Sequence, residues 1–296
     1  MFNFHLRNRA FSEIRLKSRI IFYCCLADIG WNRNPTAPLS EKAKEELKPG
    51  SRTLGQRERS LLLLADGDRI LIAVSGGIDS LVLAWLLAEW RKKAPIRYEL
   101  SAVHVDMEAG HNGPGPAAEQ VRAMIGSLGL PLHILPARWQ PNPAGAEQPN
   151  AGHDLCFQCA RSRRTQLFAH ARDSNYHTIA FGHHRDDIIE TFLLNLTCAG
   201  NISTMLPRQD LFDGRLALIR PLAYLDKKDI ETIGQQLGFV PVRSSCPLRE
   251  QTKRRDMHQL AAQIYQQIPG AKEHIFAALG NVREQYLLKQ TGGRRP

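Results

Sequence analysis

The feature that most constrains this chain is a short apolar segment followed at once by two glycines. Residues 69–74 (RILIAV) are rich in β-branched side chains and predict a buried strand. The next six residues, 75–80, read SGGIDS, and a helical pattern of apolar residues follows over 80–90. A strand, a glycine turn and a helix in direct succession are typical of the first unit of a parallel α/β sheet.

The alternation of strands and helices continues along the chain. We predict further strands over 98–105, 132–135, 178–181 and 217–221, and helices over 117–128, 186–196 and from Asp226, as the cap, to Leu237. Two basic segments, 252–267 and 271–288, are predicted to be helical, whereas 139–152 carries three prolines and two glycines and is expected to form a flexible loop. This order predicts an α/β fold with a doubly wound parallel sheet and basic C-terminal helices.

The loop 75–80, called the phosphate loop below, has the chemistry of an anion site. Gly76 and Gly77 let the backbone turn sharply and approach a ligand closely. The unsatisfied amides that open the next helix attract phosphate, and Ser75 and Ser80 can add hydroxyl donors. Asp79 is expected to orient a backbone amide or to bind Mg²⁺. The alternative to an anion site is an ordinary glycine turn that is capped by Asp79.

Lysine is absent from the phosphate loop, which separates it from the lysine-containing P-loop of kinases and GTPases. We still predict that it binds ATP. The formal net charge of the chain is +10, which suits a polyanionic partner such as nucleic acid, although a solvated basic surface would give the same count. The sequence contains no apolar run of membrane-spanning length, so we expect a cytoplasmic protein with no membrane association.

Cysteines provide a second candidate site. Cys156 and Cys159 form a Cys-x-x-Cys pair where a loop is expected to enter a helix, a position that favours thiolates. Such a pair can hold zinc, act as a redox pair, or supply two ligands to an iron–sulfur cluster. The last option needs a third ligand, for which Cys246 in a polar turn is the natural candidate. Cys198 follows apolar residues and is expected to be a small core residue.

Acidic residues follow the predicted fourth strand in the sequence GHHRDDIIE, which starts at Gly182. Asp187 and Glu190 are three residues apart and Asp186 and Glu190 four apart, so that these carboxylates share one face of a helix. A cluster of this kind at the carboxyl end of a strand can hold Mg²⁺ or act as a base. The alternative is capping of the helix by Asp186, with solvent-exposed histidines.

The SGGxDS sequence after a strand resembles the PP-loop ATP pyrophosphatase family. That resemblance implies cleavage of ATP between the α and β phosphates, with AMP left on the substrate. It also implies that the end of the second strand meets adenine, here through the backbone of Met107, and that Gly182 belongs to the same nucleotide site. We therefore expect Ser75, Gly76, Gly77, Asp79, Ser80, Met107 and Gly182 to bind the nucleotide.

Several motifs in combination narrow the resemblance. The Cys-x-x-Cys pair, the arginines after it, the GHHRDDIIE segment, the later IRPL sequence and Cys-Pro-Leu make residues 55–265 similar to the tRNA 2-thiocytidine synthetase family. That family implies an oxygen-sensitive [4Fe–4S] cluster on Cys156, Cys159 and Cys246, with its fourth iron open to sulfide. It also implies catalytic roles for Arg163 and Asp187.

The reaction implied by this resemblance starts with ATP·Mg²⁺ on the phosphate loop. The C2 oxygen of a cytidine in a tRNA anticodon loop would be adenylated, and sulfur would then replace it to give 2-thiocytidine. The expected partners are tRNA and a sulfur donor such as a cysteine desulfurase persulfide, with a homodimer as one compatible assembly. The expected domains are a disordered basic extension over 1–50, an ATP-binding domain with the iron–sulfur site over 51–266, and a C-terminal helix and tail over 267–296.

Two positions depart from the family pattern. Many members carry lysine where Ile78 stands, so a phosphate contact is either absent or supplied from elsewhere, for instance by Arg163. A second cysteine usually lies near the position of Cys246, and Arg249 occupies its place here. The competing hypotheses are a lysidine synthetase-like tRNA ligase, a small-molecule thiolation enzyme, and a nucleic-acid-binding iron–sulfur redox sensor.

Overall fold

The computed structural model of the 296-residue chain describes residues 63–94, 96–110, 113–139, 151–242, 246 and 253–288. The predicted basic extension, most of the predicted 139–152 loop, and Arg249 lie outside the described residues. None of the described helices is long and apolar enough to cross a bilayer.

Strands in the described part of the chain form one six-stranded sheet in the order β3-β2-β1-β4-β6-β5. Neighbouring strands are parallel except β5, which is antiparallel to β6. The strands are β1 (Arg69–Ala73), β2 (Glu99–Asp106), β3 (Leu132–Pro136), β4 (Thr178–Ala180), β5 (Arg208–Leu211) and β6 (Leu216–Ile219). The five parallel strands were predicted. The edge strand β5 was not, because its RQDL sequence has neither an apolar run nor β-branched residues.

Helices connect the strands and follow the last one. They are α1 (Ile78–Arg91), α2 (Pro116–Ser127), α3 (Ala151–Asp173), α4 (Arg185–Cys198), α5 (Lys227–Gln236), α6 (Lys253–Gln267) and α7 (Ala271–Leu279), with a 3₁₀ turn at Glu284–Tyr286. The 23-residue α3 differs most from prediction, since only its later part had been expected to be helical. The segment 271–288, predicted as one helix, ends instead at Leu279, before Gly280.

Both faces of the sheet are covered, as a doubly wound fold requires. Ile70 and Ile72 of β1 are fully buried in one core with apolar residues of α1, α2 and α5. Leu71 points to the opposite face and packs in a second core with Leu167 and Ala171 of α3. This alternation along one buried strand is the period-two pattern of β structure, and it explains why β1 is apolar at every central position.

The chain divides into two compact units. One comprises Ile188–Met205 together with the chain from Lys253 onward, and the other comprises the rest. The C-terminal unit has its own apolar cluster, centred on Ile189, Leu193 and Ala261. The predicted domain bounds, with α6 in the ATP-binding domain, stay a prediction. The expectation that Cys198 is a core residue was wrong: it is exposed at the end of α4.

The sheet order locates the crevice where ligands bind in open α/β folds. From β1 the chain proceeds outward through β2 and β3, then returns to the other side of β1 with β4. Ligands bind at the carboxyl ends of the strands where the order reverses. In this protein that point lies between β1, which leads into the phosphate loop, and β4, which leads to Gly182.

Candidate active site

Hydrogen bonds within the phosphate loop fix its shape. Gly76 has φ of +88°, which is the left-handed conformation that glycine adopts without strain. The Gly77 N–H donates to Ser75 Oγ (3.3 Å), the Ser75 N–H donates to Ser80 Oγ (3.2 Å), and Ser80 Oγ donates to the Gly77 carbonyl (2.8 Å). In this arrangement the buried Ser80 hydroxyl closes the loop. The Ser75 hydroxyl also donates a long hydrogen bond to Ser80 Oγ (3.4 Å), so the amides that open the following helix are the groups best suited to a phosphate.

The start of α1 has the features of an anion site. Gly77 is the N-cap residue of α1 and has no side chain with which to cap it. The first-turn amides of a helix lack intrahelical partners and carry partial positive charge, so an uncapped N-terminus favours a bound anion.

Three residues from other parts of the chain contact the phosphate loop or its flanks. The buried His104 of β2 bonds through Nδ1 to the Val74 carbonyl (2.8 Å), at the entry of the loop. The Val242 N–H donates to the Gly76 carbonyl (3.0 Å). Gly182 packs directly on the start of α1, since a Cβ there would lie 3.0 Å from the carbonyl carbon of Asp79. Gly182, a predicted nucleotide-site residue, therefore adjoins the loop.

Asp79 forms an ion pair that the sequence did not predict. The Lys227 ammonium group at the start of α5 lies 2.6 Å and 2.8 Å from the two Asp79 carboxylate oxygens. These residues are 148 positions apart in the chain, so no local sequence pattern links them. The ion pair places the Lys227 ammonium group beside the phosphate loop, which contains no basic residue of its own.

Asp79 also borders a buried histidine that lies among carboxylates. His184 Nε2 lies 3.9 Å from Asp79 and 3.3 Å from Asp187, and Nδ1 lies 3.5 Å from Asp186. Burial by itself lowers the pKa of His184. Two effects raise the pKa by more than burial lowers it, and these are a hydrogen bond to Asp186 and the negative charges of Asp187, Asp79 and Asp186. The pKa therefore lies above the usual 6.5. The alternative with exposed histidines was wrong for His184, which is buried.

Both aspartates of the GHHRDDIIE segment accept backbone hydrogen bonds. Asp187 Oδ2 accepts a hydrogen bond from the His184 N–H (3.0 Å), as the side chain at helix position N3 does in a capping box. Asp186 Oδ2 accepts from the Lys227 N–H (2.9 Å), so this carboxylate caps the start of α5. Asp186 thus caps a helix other than the one that the sequence suggested.

Glu190, the other predicted member of the acidic cluster, is buried in the C-terminal unit. His258 Nδ1 lies 2.7 Å from its carboxylate. Within the described residues, the structure contains no group of three or more histidine, cysteine or acidic side chains with the geometry of a metal site. The acidic residues therefore do not form the predicted Mg²⁺ cluster with Glu190.

Cys159 and Cys246 are near enough to Cys156 to act on it electrostatically. Burial and the neighbouring Cys246 and Cys159 raise the pKa of the Cys156 thiol, while Arg163 opposes this shift. The pair lies beyond the first turn of α3, not at its N-terminus, so the expected stabilisation of the thiolates by the end of the helix does not apply. All three cysteines are outside any disulfide and are partly exposed.

Cys246 is also tied to the phosphate loop. It follows Val242 by four residues, and Val242 is hydrogen-bonded to Gly76. Because an extended chain spans at most about 3.6 Å per residue, the Cα atoms of Val242 and Cys246 are within about 14 Å. Cys246 is therefore near the residue that is hydrogen-bonded to the phosphate loop.

Arginines lie both near Cys156 and at the end of β6. Arg163 is exposed on α3 and acts electrostatically on Cys156. Arg220 follows β6 directly and is buried, and this burial together with the charge of Arg164 lowers its pKa to about 10. Arg220 was not among the residues predicted to form the site. The signal that could have found it is the IRPL motif, which places a charged residue directly after an apolar strand.

Met107 follows β2 at the same edge of the sheet. The preceding residue, Asp106, is completely buried and accepts hydrogen bonds from the N–H groups of Glu108 (2.9 Å) and Gly115 (2.7 Å). Asp106 thus shapes the loop that carries Met107. A buried acid at the end of an apolar strand is the sequence signal that could have identified it.

A groove of about 340 Å³ lies between the end of β3 and α3. Gln166 holds its wall, since the side chain donates to the Pro136 carbonyl (2.7 Å) and accepts from the Arg138 N–H (3.2 Å). The groove is lined by Arg138, Trp139, Gln158, Arg161, Ser162, Thr165 and Gln166. An aromatic ring beside two arginines suits stacking of a nucleobase and contact with its phosphates.

Comparison with known proteins agrees with this architecture. A PP-loop domain model matches residues 51–243. A protein of Pelobacter propionicus named tRNA-cytidine(32) 2-sulfurtransferase is 36% identical over 239 residues, which are 80% of this chain and 87% of that protein. A protein of the same name from Geobacter sulfurreducens is 35% identical over 228 residues, covering 76% of this chain and 86% of that one.

A solved structure has a similar fold. The U34-tRNA thiolase NcsA from Methanococcus maripaludis, determined with its [4Fe–4S] cluster, matches with a TM-score of 0.59 and 20% identity. The match covers 74% of this chain and 72% of that protein. At this identity the likeness shows a shared fold.

Proposed function

This chain belongs to the PP-loop family, within the tRNA-cytidine(32) 2-sulfurtransferases, and from that premise we infer that it is an ATP-dependent tRNA sulfurtransferase. Its product is 2-thiocytidine at an anticodon-loop cytidine. The observation that supports this proposal is that Val242, four residues before Cys246, is hydrogen-bonded to Gly76 of the phosphate loop, and that Cys246 acts electrostatically on Cys156. This arrangement would bring activation by ATP and delivery of sulfur into one crevice.

ATP binding rests on the phosphate loop at the point where the strand order reverses. The uncapped amides of α1 and the Ser75 hydroxyl would hold the pyrophosphate portion, and the Met107 backbone would contact adenine. These two positions follow adjacent strands of the sheet, since β2 neighbours β1. Ser80, Gly76 and Gly182 serve this site by keeping the loop in shape.

The donor set of the second site fits an iron–sulfur cluster. Burial and the charges of Cys246 and Cys159 oppose ionisation of Cys156, and metal ions that bind thiolates would remove this cost. Cys156, Cys159 and Cys246 would hold a [4Fe–4S] cluster and leave one iron without a protein ligand. When bound, the cluster would supply a site at which sulfide is held for transfer.

The chemistry divides into two displacements. In the first, the C2 oxygen of cytidine attacks the α phosphate of ATP, a new O–P bond forms, and the bond to pyrophosphate breaks. In the second, a sulfur nucleophile attacks C2, the C–O bond breaks, and AMP leaves with the oxygen. Adenylation is required because an unmodified oxygen is a poor leaving group.

The chain's own groups support the first displacement by electrostatics. Negative charge builds up on pyrophosphate as it departs, and the amides of α1 face that charge without needing to reorganise. Mg²⁺ would arrive on the ATP phosphates, since this ion usually keeps several of its waters and takes only one or two protein carboxylates. We propose that Asp187 contributes such a contact or accepts a proton, and that Arg163 steadies the bound nucleotide or RNA.

The tRNA is proposed to bind over α3 and its groove. Arg138, Trp139 and Arg161 line that groove, and the net charge of +10 favours a polyanion. Gln166 bonds to the last residue of β3, and Cys159 lies seven residues earlier in α3, about 10 Å along the helix axis. A base bound in the groove would therefore lie only one or two nucleotides away from a base at the cysteine site.

The decisive experiment measures product with purified components. Reconstituted protein under anaerobic conditions would be incubated with unmodified tRNA, ATP, Mg²⁺ and sulfide, and the tRNA nucleosides would be analysed by mass spectrometry. We expect 2-thiocytidine together with AMP and pyrophosphate, all dependent on tRNA. Lysidine in place of 2-thiocytidine would support the ligase hypothesis, and ATP cleavage without any tRNA product would contradict the proposal.

The remaining partners stay predictions. A cysteine desulfurase persulfide is proposed as the sulfur donor because the displacement needs sulfur at the oxidation level of sulfide, which a persulfide releases when a thiol attacks it and a disulfide is left behind. A homodimer and a cytoplasmic location are likewise predictions. Analytical ultracentrifugation of the full chain tests the first, and fractionation of the cells tests the second.

A further inference from the structure

We propose that Lys227, brought to Asp79 by the packing of α5 on α1, is the phosphate-binding cation of this site. The inference deepens the proposed function and rests on ATP binding by the phosphate loop. The loop itself offers only dipoles and a hydroxyl, because its central residue is Ile78 and its charged residue is acidic. A triphosphate bound there needs positive charge from another part of the fold.

Lys227 is held in place by its backbone as well as by its side chain. Its N–H donates to Asp186 (2.9 Å), and its ammonium group reaches both oxygens of Asp79 at 2.6 Å and 2.8 Å. The preceding turn is fixed too, since the Arg185 N–H donates to the Leu225 carbonyl (3.0 Å) and the Arg185 side chain to the Tyr224 carbonyl (3.0 Å). The ammonium group therefore stands beside the loop with little freedom.

Packing between α1 and α5 explains why the loop residue cannot serve instead. A Cβ on Gly234 of α5 would lie 2.6 Å from Cγ1 of Ile78, so the isoleucine fills the space left by the missing side chain. Ile78 thus faces α5 and belongs to the apolar contact between the helices. The same contact sets the N-terminus of α5, and with it Lys227, against the phosphate loop.

The ion pair is accessible to a ligand. The Lys227 side chain is 35% exposed and that of Asp79 is 28% exposed, so neither group is sealed in the core. An ammonium group has three donors, and two of them can stay on Asp79 while the third reaches a phosphate oxygen. Loss of such a charge-assisted hydrogen bond to phosphate would weaken ATP binding by about 10- to 100-fold.

A purely structural role predicts a different pattern. If Lys227 only neutralises Asp79, it should affect ATP and AMP binding alike, and its removal should be harmless once Asp79 is uncharged. If it contacts the β or γ phosphate, it should affect ATP and pyrophosphate but not AMP. The two roles are separated by comparing ligands and by a double-mutant cycle.

The experiment is calorimetric titration of the full-length protein with ATP, pyrophosphate and AMP, each with Mg²⁺. The variants are Lys227→Met, Asp79→Asn and their combination, with Lys228→Met as the matched control because Lys228 is exposed one residue further along α5. Thermal unfolding of each variant verifies that it folds. We expect Lys227→Met to weaken ATP and pyrophosphate binding about 10- to 100-fold, both alone and when combined with Asp79→Asn, with AMP affinity within about twofold of wild type.

Three results would overturn the inference. One is wild-type ATP affinity in Lys227→Met, the second is an equal loss for ATP and AMP, and the third is a loss that vanishes when Asp79→Asn is also present. Failure of the wild-type protein to bind ATP at all would instead refute the proposed function, and this inference with it. The two failures are therefore distinguishable.

Discussion

Gly182 and Asp79 approach each other so closely that a single added methyl group would strain the phosphate loop. A Cβ on Gly182 would lie 3.0 Å from the carbonyl carbon of Asp79 and 3.1 Å from the Ser80 nitrogen. Both neighbours are backbone atoms at the start of α1, and neither can rotate away as a side-chain end could. The turn after β4 therefore limits the position of the helix that is proposed to bind phosphate.

Gly182→Ala should thus displace the first turn of α1. We expect ATP affinity to fall at least about tenfold and stability to drop by about 1–3 kcal/mol, the usual cost of overpacking. Calorimetric ATP titration and urea unfolding measure the two effects.

The matched control for Gly182 is Gly126→Ala in α2, where an added Cβ meets nothing within 4 Å. That change should leave ATP binding unaltered and should stabilise the protein by about 0.5–1 kcal/mol, because alanine favours a helix over glycine. Equal ATP affinity in Gly182→Ala and wild type would show that the loop tolerates the extra atom.

Ile78 and Gly234 should be coupled energetically. In the wild-type background, the gain in helix propensity from Gly234→Ala is offset by the clash with Ile78. In an Ile78→Ala background the clash is gone, so the same change should stabilise by about 0.5–1 kcal/mol. Urea unfolding of the four proteins gives the coupling energy, and additive effects would refute direct packing between the two positions.

His184 should make stability depend on pH. Its pKa is raised in the folded state, so its contribution is fully present below the unfolded value near 6.5 and is lost as pH rises through the higher folded pKa. His184→Gln should therefore destabilise the protein most at acidic pH, with the difference from wild type shrinking at alkaline pH.

Urea unfolding across about pH 5.5 to 8.5 would measure this effect of His184. The control is His274→Gln, since His274 is exposed in α7. A pH profile that is the same in His184→Gln and wild type would show that the carboxylates around His184 do not stabilise its charged form.

The three cysteines should be required together for the iron–sulfur cluster. Serine at Cys156, Cys159 or Cys246 should reduce bound iron and sulfide well below four of each per chain after anaerobic reconstitution, because three protein ligands are needed to retain the cluster. Cys198→Ser is the matched control, since Cys198 is exposed at the end of α4. One zinc ion per chain, or full iron content in Cys246→Ser, would contradict the assignment.

Trp139 should contribute to tRNA binding without affecting ATP. Loss of a stacked base costs about 1–3 kcal/mol, so Trp139→Ala should weaken tRNA binding by about 5- to 150-fold. Filter binding at fixed salt measures this. Arg172→Ala near the opposite end of α3 is the control, and equal losses in the two variants would indicate general electrostatic attraction in place of a specific groove.

Local patterns in the sequence determined much of this protein. The five parallel strands were predicted because buried strands read as short apolar runs, and the phosphate loop because paired glycines between a strand and a helix have few other uses. The edge strand β5 was missed, since its polar residues carry no such signal and only pairing with β6 makes it a strand. The start of α3 was missed because the helix was expected to begin near Cys156, whereas it begins at Ala151.

Tertiary structure decided how the site is assembled. The charge of Asp79 and the identity of Ile78 were visible in the sequence, but the partner Lys227 lies 148 residues away and the gap at Gly234 lies on another helix. His184 was equally visible as a residue, yet its burial among three aspartates depends on where residues 184–187 meet the start of α1. The periodicity of apolar residues predicts which residues share one face of a helix or strand. Ion pairs and buried charges depend on distances between elements, and these are fixed only when the fold has formed.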